Sequence, residues 1–165
     1  MDVLAAQVGG ALKMHGMMLV TAESCTGGGV AQAITSIAGS SAWFDRGFVT
    51  YSNLSKQQML GVSEATLAQH GAVSEAVVRE MVTGALANSA AQIALAVSGI
   101  AGPDGGTPDK PVGTVWFAWG IKNMTVHIQA QRRQIAGNRA EVRAHATSIA
   151  MQGLLELLNR RTQIA

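Results

Sequence analysis

The chain has 165 residues, of which 48% are hydrophobic and 13% are charged. That length suffices for one domain with a substantial hydrophobic core, so we predict a single domain over residues 1–165. The formal net charge is only +2, and the sequence contains no basic stripe, which argues against a nucleic-acid-binding protein. Because few residues are charged, much of the surface has to be uncharged or covered by a partner, and we expect self-association.

Nothing in the sequence indicates export or membrane insertion. Cys25 is the single cysteine, so no disulfide can form within the chain. The sequence lacks the charged and apolar segments of a signal peptide, and no apolar run reaches the roughly 18 residues of a membrane span. We therefore predict a cytoplasmic location and no membrane partner.

The first elements in chain order are an amphipathic helix over Leu4–Met14 and a short buried strand over Met17–Val20. The strand leads into T-A-E-S-C-T-G-G-G, Thr21–Gly29, after which apolar residues recur at helical spacing. This segment is predicted to be a strand-to-helix junction. Backbone N–H groups at such a junction can bind an anion or stabilise an oxyanion, and glycines let a ligand approach the backbone.

The middle of the chain continues the alternation of strands and helices. Gly47–Tyr51 predicts a second strand, followed by a short helix that carries Lys56. Ser74 is the expected cap of the next helix. Ile93–Val97 predicts a strand covered on both faces, and the loop over Ser98–Gly113 that follows contains all 3 prolines.

Two strands and a long helix are predicted for the C-terminal part. The strands cover Val112–Trp119 and Thr125–Arg133, joined by a hairpin turn at Gly120–Asn123, and the second should lie near a sheet edge. Asn138 should begin the helix, with Glu141 completing a capping box.

This alternation predicts an α/β domain with one sheet covered by helices on both faces. Ligands in such sheets bind where strand ends open into loops. We expect the turn after Thr21, the turn after Tyr51 and the Ser98–Gly113 loop to meet at one cleft.

Several of these segments resemble one family in order and spacing over roughly Val3–Leu158, the CinA C-terminal domain family. They are T-A-E-S-C-T-G-G-G, A-G-S-S-A-W-F-D-R-G-F-V-T-Y-S-N, G-A-V-S-E, S-G-I-A-G-P-D-G-G and K-P-V-G-T-V-W-F-A. Stand-alone members of the family include nicotinamide-mononucleotide amidohydrolases, which hydrolyse the carboxamide of that nucleotide to the acid and release ammonia. The resemblance implies a three-layer α/β/α sandwich with a mixed sheet, this activity, a small-molecule nucleotide substrate and a homodimer.

The resemblance also implies the residues of the site. Ser24 is the expected nucleophile, with Tyr51 and Lys56 around it. The expected substrate-binding residues lie in the glycine turn, the proline-rich loop and the last helix: Glu23, Thr26, Gly27, Gly28, Ser98, Gly99, Gly102, Arg139 and Arg143.

The chemistry of these residue types fits amide hydrolysis, which needs a nucleophile, a proton shuttle and an oxyanion site. Ser24 needs a base, and the 4 histidines of the chain are scattered. Lys56 is the remaining candidate for the base, provided that its solution pKa of about 10.4 is lowered by desolvation or nearby positive charge. Tyr51 would hydrogen-bond the pair or relay a proton. Cys25 is the rival nucleophile, since a thiol near a helix N-terminus can be acidified, although a small buried residue is the plainer interpretation.

Two sets of groups are candidates for the substrate phosphate. One is the backbone N–H groups of Thr26–Gly29, and the other is the guanidinium groups of Arg139 and Arg143. Salt bridges to Glu141 or Asp45 are the alternative explanation of the arginines. Three roles are open for Glu23: it orients the turn, accepts a hydrogen bond from substrate hydroxyls, or is a surface carboxylate.

One departure from the family pattern keeps a second function open. Family members often have G-D-R where this chain has Gly137-Asn138-Arg139. Asn caps a helix about as well as Asp, but the lost carboxylate allows a catalytically silent member that binds a nucleotide or a protein. One cysteine and dispersed histidines provide no metal-ligand spacing, and we predict no metal and no cofactor.

Overall fold

The computed structural model describes residues 1–164, and within them the chain forms five β-strands and six α-helices. The strands are β1 (Leu19–Glu23), β2 (Phe44–Val49), β3 (Ile93–Gly99), β4 (Thr114–Asn123) and β5 (Thr125–Gln134). The helices are α1 (Asp2–His15), α2 (Gly29–Thr35), α3 (Asn53–Leu60), α4 (Glu64–His70), α5 (Glu75–Ala87) and α6 (Arg139–Ile164). A short 3-10 helix over Ser40–Ala42 precedes β2.

The strands form one mixed sheet in the order β2-β1-β3-β4-β5. Strand β1 is parallel to both β2 and β3, whereas β4 and β5 continue the sheet in antiparallel pairing. Strand β5 lies at an edge, as its alternating sequence predicted. The predicted α/β class and the three-layer α/β/α sandwich are confirmed.

Two hydrophobic clusters cover the two faces of this sheet. Along β3, Ile93, Leu95 and Val97 pack against α1, α2 and α6, and the intervening Ala94 and Ala96 pack against α3, α4 and α5. Alternate side chains of a strand point to opposite faces, so a run of apolar residues is what a strand buried on both sides requires.

The first strand extends further than its apolar residues predicted. Strand β1 continues through Thr21 and Glu23, and all five of its residues are buried. The predicted end at Val20 was therefore wrong, because buried polar side chains continue the strand. These additional residues bring the carboxyl end of β1 next to the end of β2, where the Thr50 N–H donates to the Glu23 carbonyl oxygen at 2.8 Å.

The predicted hairpin turn at Gly120–Asn123 is also wrong. Those residues continue β4, and the chain reverses at Met124, which has a φ of 61°. A Cβ atom on Gly120 would overlap the side chain of Val82 in α5. The glycine therefore serves the close approach of a helix to the sheet rather than a turn.

The predicted starts of α5 and α6 are confirmed. The Ser74 hydroxyl accepts from the Val77 N–H at 3.3 Å at the start of α5. At the start of α6, Asn138 and Glu141 form the predicted reciprocal capping box, with distances of 3.0 Å and 2.7 Å.

None of the described helices has the length and apolar character of a membrane span.

Candidate active site

Ser24 is the first residue after β1, at the carboxyl end of a central strand. Its N–H still donates to the Val97 carbonyl oxygen of β3 at 2.9 Å, so the sheet fixes its backbone. The next residues form a tight turn, in which the Gly27 N–H donates to the Ser24 carbonyl oxygen at 3.0 Å. We call Ser24–Gly28 the nucleophile turn. It connects β1 to α2 as the sequence predicted.

Lys56 reaches this turn from α3. The helix begins with a capping box in which Ser52 and Ser55 exchange hydrogen bonds of 3.0 Å and 3.1 Å. Lys56 lies one turn into the helix and is only 1% exposed. Its Nζ atom donates to the Ser24 Oγ atom at 3.0 Å and to the Thr50 carbonyl oxygen at 2.8 Å.

Burial changes the protonation of Lys56. Desolvation lowers the pKa of its amine below the ordinary value of 10.5, and a smaller effect of the neighbouring Cys25 opposes this change. The amine is therefore neutral at a lower pH than an exposed lysine, and a neutral amine can take a proton from a hydroxyl. Ser24 and Lys56 are thus in direct contact, in an arrangement that can supply a nucleophile and a base.

Cys25 is a poor rival nucleophile in this environment. The residue is 5% exposed, and burial is the main reason that its pKa rises from 9.0 to about 12. The thiol is therefore protonated at neutral pH, and the thiolate is the reactive form of cysteine. The interpretation of Cys25 as a small buried residue fits the structure.

Tyr51 and Arg139 meet at the mouth of the site. The Tyr51 side chain is 60% exposed, and its hydroxyl oxygen accepts from Arg139 Nη2 at 2.8 Å. Arg139 Nη1 donates to the Gly102 carbonyl oxygen, also at 2.8 Å. The prediction that Tyr51 hydrogen-bonds the Ser24–Lys56 pair is wrong, because its described partner is the guanidinium group.

A cavity of about 280 Å³ joins these groups. The predicted site residues that line it are Ser24, Tyr51, Lys56, Ser98, Gly99, Gly102 and Arg139. The two turns and the proline-rich loop therefore meet at one cleft, as predicted. The Ser98 hydroxyl lines this cavity but donates to the Ala72 carbonyl oxygen at 2.8 Å, so it retains only acceptor capacity for a ligand.

Glu23 does not line this cavity, and its prediction as a substrate-binding residue is wrong. The residue is 0% exposed. Its carboxylate accepts from the Thr26 hydroxyl at 2.6 Å and from the N–H groups of Val30 and Ala31 at 2.8 Å and 3.1 Å. It therefore caps α2 from inside the protein and orients the nucleophile turn, which was one of the roles considered from the sequence.

Part of the backbone donors expected to hold a phosphate are occupied by contacts within the protein. Glu23 occupies the first N–H groups of α2, and the Gly27 and Gly29 N–H groups donate to carbonyl oxygens within the turn at 3.0 Å. Thr26 is 2% exposed, and its hydroxyl donates to Glu23. Of the four N–H groups over Thr26–Gly29, those of Gly27 and Gly29 are therefore not available to a phosphate, and the substrate-binding roles of Thr26, Gly27 and Gly28 stay predictions.

Arg143 lies on the other side of the nucleophile turn from Ser24. Its Nε atom donates to the Cys25 carbonyl oxygen at 3.1 Å and its Nη2 atom to the Thr26 carbonyl oxygen at 3.3 Å. It lines a second cavity of about 380 Å³. The two arginines thus do not share one pocket, and only Arg139 lines the cavity of Ser24.

The salt bridges proposed as the alternative for these arginines are not formed. Asp45 pairs with Arg46 at 2.7 Å, and Glu141 caps α6. Asn138 also completes its cap without the carboxylate that family members often have at this position. The local fold of α6 is therefore retained.

Two parts of the site had no signal in the sequence. One is the contact that anchors the Lys56 amine: its acceptor is the backbone carbonyl of Thr50, a group that every residue type carries. Asp104 lines the cavity from the proline-rich loop, where its carboxylate could not be distinguished from any loop acid. Within residues 1–164, no group of three or more His, Cys, Asp and Glu side chains is arranged to hold a metal ion.

Comparison with known proteins identifies the family to which this chain belongs. The chain is 56% identical over 162 residues to the nicotinamide-nucleotide amidohydrolase PncC of Escherichia coli K12, covering 96% of this chain and 95% of that protein. It is 53% identical over 154 residues to PncC of Pseudomonas putida, covering 93% and 94%. A CinA superfamily protein from Klebsiella pneumoniae has a similar crystal structure, with a TM-score of 0.91 and 45% identity over 96% of this chain and 98% of that chain. The family model described as the CinA C-terminal domain matches residues 1–158, and the chain belongs to the CinA C-terminal domain family.

Proposed function

We propose that this protein is an amidohydrolase that converts nicotinamide mononucleotide to nicotinic acid mononucleotide and ammonia. The observation that carries the proposal is the buried amine of Lys56, 3.0 Å from the hydroxyl of Ser24 at the end of a central strand. A serine and lysine pair of this kind suits acyl transfer. The names of the PncC relatives supply the substrate.

In the first half of the reaction, Ser24 Oγ attacks the carboxamide carbon while the neutral Lys56 amine takes the hydroxyl proton. The resulting oxyanion needs nearby N–H donors. When the tetrahedral intermediate collapses, the carbon–nitrogen bond breaks, and the Lys56 ammonium gives its proton to the leaving nitrogen. Ammonia leaves, and the acyl group remains as an ester on Ser24.

In the second half, water attacks the ester carbon. Lys56, neutral again, takes a proton from the water and returns it to Ser24 Oγ as the carbon–oxygen bond to the enzyme breaks. The products of the complete cycle are the carboxylic acid and ammonia, and the enzyme is regenerated. The 2.8 Å contact with the Thr50 carbonyl oxygen keeps Nζ in place through both halves.

Arg139 is the group best placed for the substrate phosphate. It lines the Ser24 cavity, and its contacts with Gly102 and Tyr51 fix the guanidinium plane. A guanidinium group has five N–H donors, so donors remain for an anion after these two contacts. Tyr51 then contributes by orienting Arg139 and by covering the mouth of the cavity.

The test is ammonia release from nicotinamide mononucleotide by the purified protein and by Ser24→Ala. We expect turnover by the wild-type protein and a loss of at least about 1000-fold in the variant. Turnover by Ser24→Ala at the wild-type rate would remove Ser24 from the reaction. Tight binding of the nucleotide without turnover by the wild-type protein would instead identify a silent binding module.

A homodimer and a cytoplasmic location are the further parts of the proposal. The homodimer is supported by large exposed apolar side chains near the site, Val49, Tyr51 and Leu54, which are 45%, 60% and 58% exposed. Light scattering coupled to gel filtration measures the oligomeric state, and a monomer at micromolar concentration would contradict the homodimer. Fractionation of cells that express the tagged protein tests the location.

A further inference from the structure

We propose that Arg143 is a positioning residue for the reaction at Ser24, which holds the nucleophile turn from behind and does not touch the substrate. The inference rests on the proposed function for its kinetic test, and on the geometry of the turn for its physical argument. It replaces the expectation that Arg143 binds the substrate phosphate.

Arg143 makes a pair of contacts with the nucleophile turn. Its Nε and Nη2 atoms donate to the carbonyl oxygens of Cys25 and Thr26, which belong to two successive peptide groups. Arg143 is 118 positions from Cys25 in the chain, so these contacts connect the middle of the turn to α6. A rigid, planar guanidinium group that holds two carbonyl oxygens fixes the orientation of both peptide planes.

These contacts also fix the direction of a backbone N–H group. In a planar trans peptide, the C=O and N–H groups point in opposite directions. Because Arg143 holds the Cys25 carbonyl oxygen, the Thr26 N–H points away from Arg143. Among residues 1–164 no acceptor is found for that N–H. The clamp thus leaves an oriented and free donor on the opposite side of the turn.

The nucleophile turn lies between two cavities. Ser24 and Cys25 line the cavity of about 280 Å³, whereas Thr26 and Arg143 line the cavity of about 380 Å³. The turn is the wall between them. Arg143 therefore contacts the turn from the side away from the Ser24 cavity, and it acts on Ser24 through the peptide groups of Cys25 and Thr26.

The position of Arg143 behind the turn predicts which kinetic parameter this residue controls. An interaction that orients donors for the transition state affects kcat, whereas an interaction with the ground-state substrate affects KM. We expect Arg143→Ala to lower kcat about 10- to 100-fold, as small misplacements in active sites do, with little change in KM. Arg139→Ala is the comparison one turn earlier on α6, and we expect it to raise KM for the phosphorylated substrate.

A substrate without phosphate separates the two roles further. We expect Arg143→Ala to lower kcat by the same factor for nicotinamide mononucleotide and for nicotinamide riboside. A loss confined to the mononucleotide and expressed in KM would overturn the proposal, because it would identify Arg143 as a phosphate ligand.

Chemical rescue tests the clamp directly. The cavity behind the turn can admit methylguanidinium. We therefore expect this cation to raise the kcat of Arg143→Ala several-fold, whereas methylammonium at the same ionic strength should leave it unchanged. Thermal unfolding verifies that the variant is folded at the assay temperature. If it is not, Arg143→Lys, which keeps the charge but not the fork of donors, is the variant used, with a partial loss of kcat expected. A folded variant with wild-type kcat, or one that methylguanidinium does not rescue, would contradict the proposal.

A probe that needs no nicotinamide substrate distinguishes failure of this inference from failure of the proposed function. Phenylmethanesulfonyl fluoride reacts when a serine oxygen bonds to sulfur and fluoride leaves, while the serine proton passes to the base. We expect the rate of Ser24 labelling, followed by mass spectrometry, to fall in Arg143→Ala by a factor similar to that of kcat. Equal rates in wild type and variant would overturn the role of Arg143, even if the protein has another substrate.

Discussion

The Nζ atom of Lys56 lies 3.0 Å from the Oγ atom of Ser24, although 32 positions separate the two residues. The parallel pairing of β1 and β2 brings their carboxyl ends together, and Lys56 then reaches back from the first turns of α3. Two adjacent strand ends thus position Ser24 and Lys56 independently of each other. A substitution that moves either strand end should therefore affect the reaction by changing the distance between Nζ and Oγ.

Replacement of the base tests this pair. Lys56→Met keeps the length and the apolar stem of the side chain but removes the amine. We expect kcat for ammonia release to fall about 100- to 10,000-fold, the usual contribution of a general base. Lys56→Arg should be no better, because a guanidinium group stays protonated at any accessible pH. Activity of Lys56→Met close to the wild-type value would exclude Lys56 as the base.

The pH dependence follows from the direction of the Lys56 pKa shift. Burial lowers the pKa of the folded protein below 10.5, so the unfolded chain binds more protons between the two pKa values. The free energy of unfolding therefore rises with pH across that window, and the penalty for burying the charged amine is greatest below it. We expect kcat/KM to rise with pH through the same folded-state pKa as the neutral amine accumulates.

The control for this pH effect is Lys56→Met, whose stability should lack the rise. Denaturant titrations at several pH values measure the free energy of unfolding of both proteins. A wild-type kcat/KM that falls as pH increases toward 10.5 would contradict the assignment of a neutral lysine base.

Cys25 should be dispensable for the chemistry. Its pKa of about 12 leaves the thiol protonated at neutral pH. We expect Cys25→Ala to retain most of its kcat and to lose about 1 kcal/mol of stability through the small cavity that it creates. Iodoacetamide should label wild-type Cys25 slowly at neutral pH. Rapid labelling that abolishes ammonia release would argue for a reactive thiolate instead.

Glu23→Gln should destabilise the protein from inside the nucleophile turn. The amide removes a negative charge from the start of α2 and can accept at only one of its two polar atoms, so at least one of the three donors that face Glu23 loses its acceptor. We expect a loss of about 2–3 kcal/mol in the free energy of unfolding, together with lower kcat. Glu64→Gln, an exposed acid in the first turn of α4, is the matched control and should change stability by less than about 0.5 kcal/mol. Equal effects of the two substitutions would show that the Glu23 carboxylate does not stabilise the turn.

Gly84→Ala should displace Lys56 by moving the helix that carries it. A Cβ atom at Gly84 in α5 would overlap the carbonyl oxygen of Leu60 at the end of α3, the helix that carries Lys56. We expect a loss of about 1–3 kcal/mol and a lower kcat, because α3 has to shift. Gly10→Ala in α1 is the control, since no heavy atom lies within 4 Å of its added Cβ atom. That substitution should stabilise the protein by about 0.5–1 kcal/mol and leave kcat unchanged.

The sequence predicted well those features that depend on neighbouring residues. The caps at Ser74 and Asn138 use a hydroxyl or amide and a backbone N–H three residues later, and such contacts are visible in a short window. The apolar run of β3 is likewise a local sign of a strand with helices on both faces. Ser24 and Lys56 were paired only through the family resemblance, because no local pattern reports a contact across 32 positions.

The errors arose where tertiary contacts override the local pattern. Glu23 looks like a turn acid, but the start of α2 supplies the hydrogen bonds that let a carboxylate be buried. Gly120 looks like a turn residue, but α5 requires the absence of a side chain there. Arg139 and Arg143 lie one helical turn apart, yet the nucleophile turn separates their cavities. None of these relationships can be deduced from spacing along the chain.

The most direct test of the Ser24–Lys56 mechanism is mass spectrometry of the enzyme after acid quenching during turnover of nicotinamide mononucleotide. We predict a covalent adduct with the mass of the substrate less ammonia, located on the peptide that contains Ser24 and absent from Lys56→Met. The adduct on Cys25, or turnover through Lys56→Met with the same adduct at the same level, would contradict the mechanism.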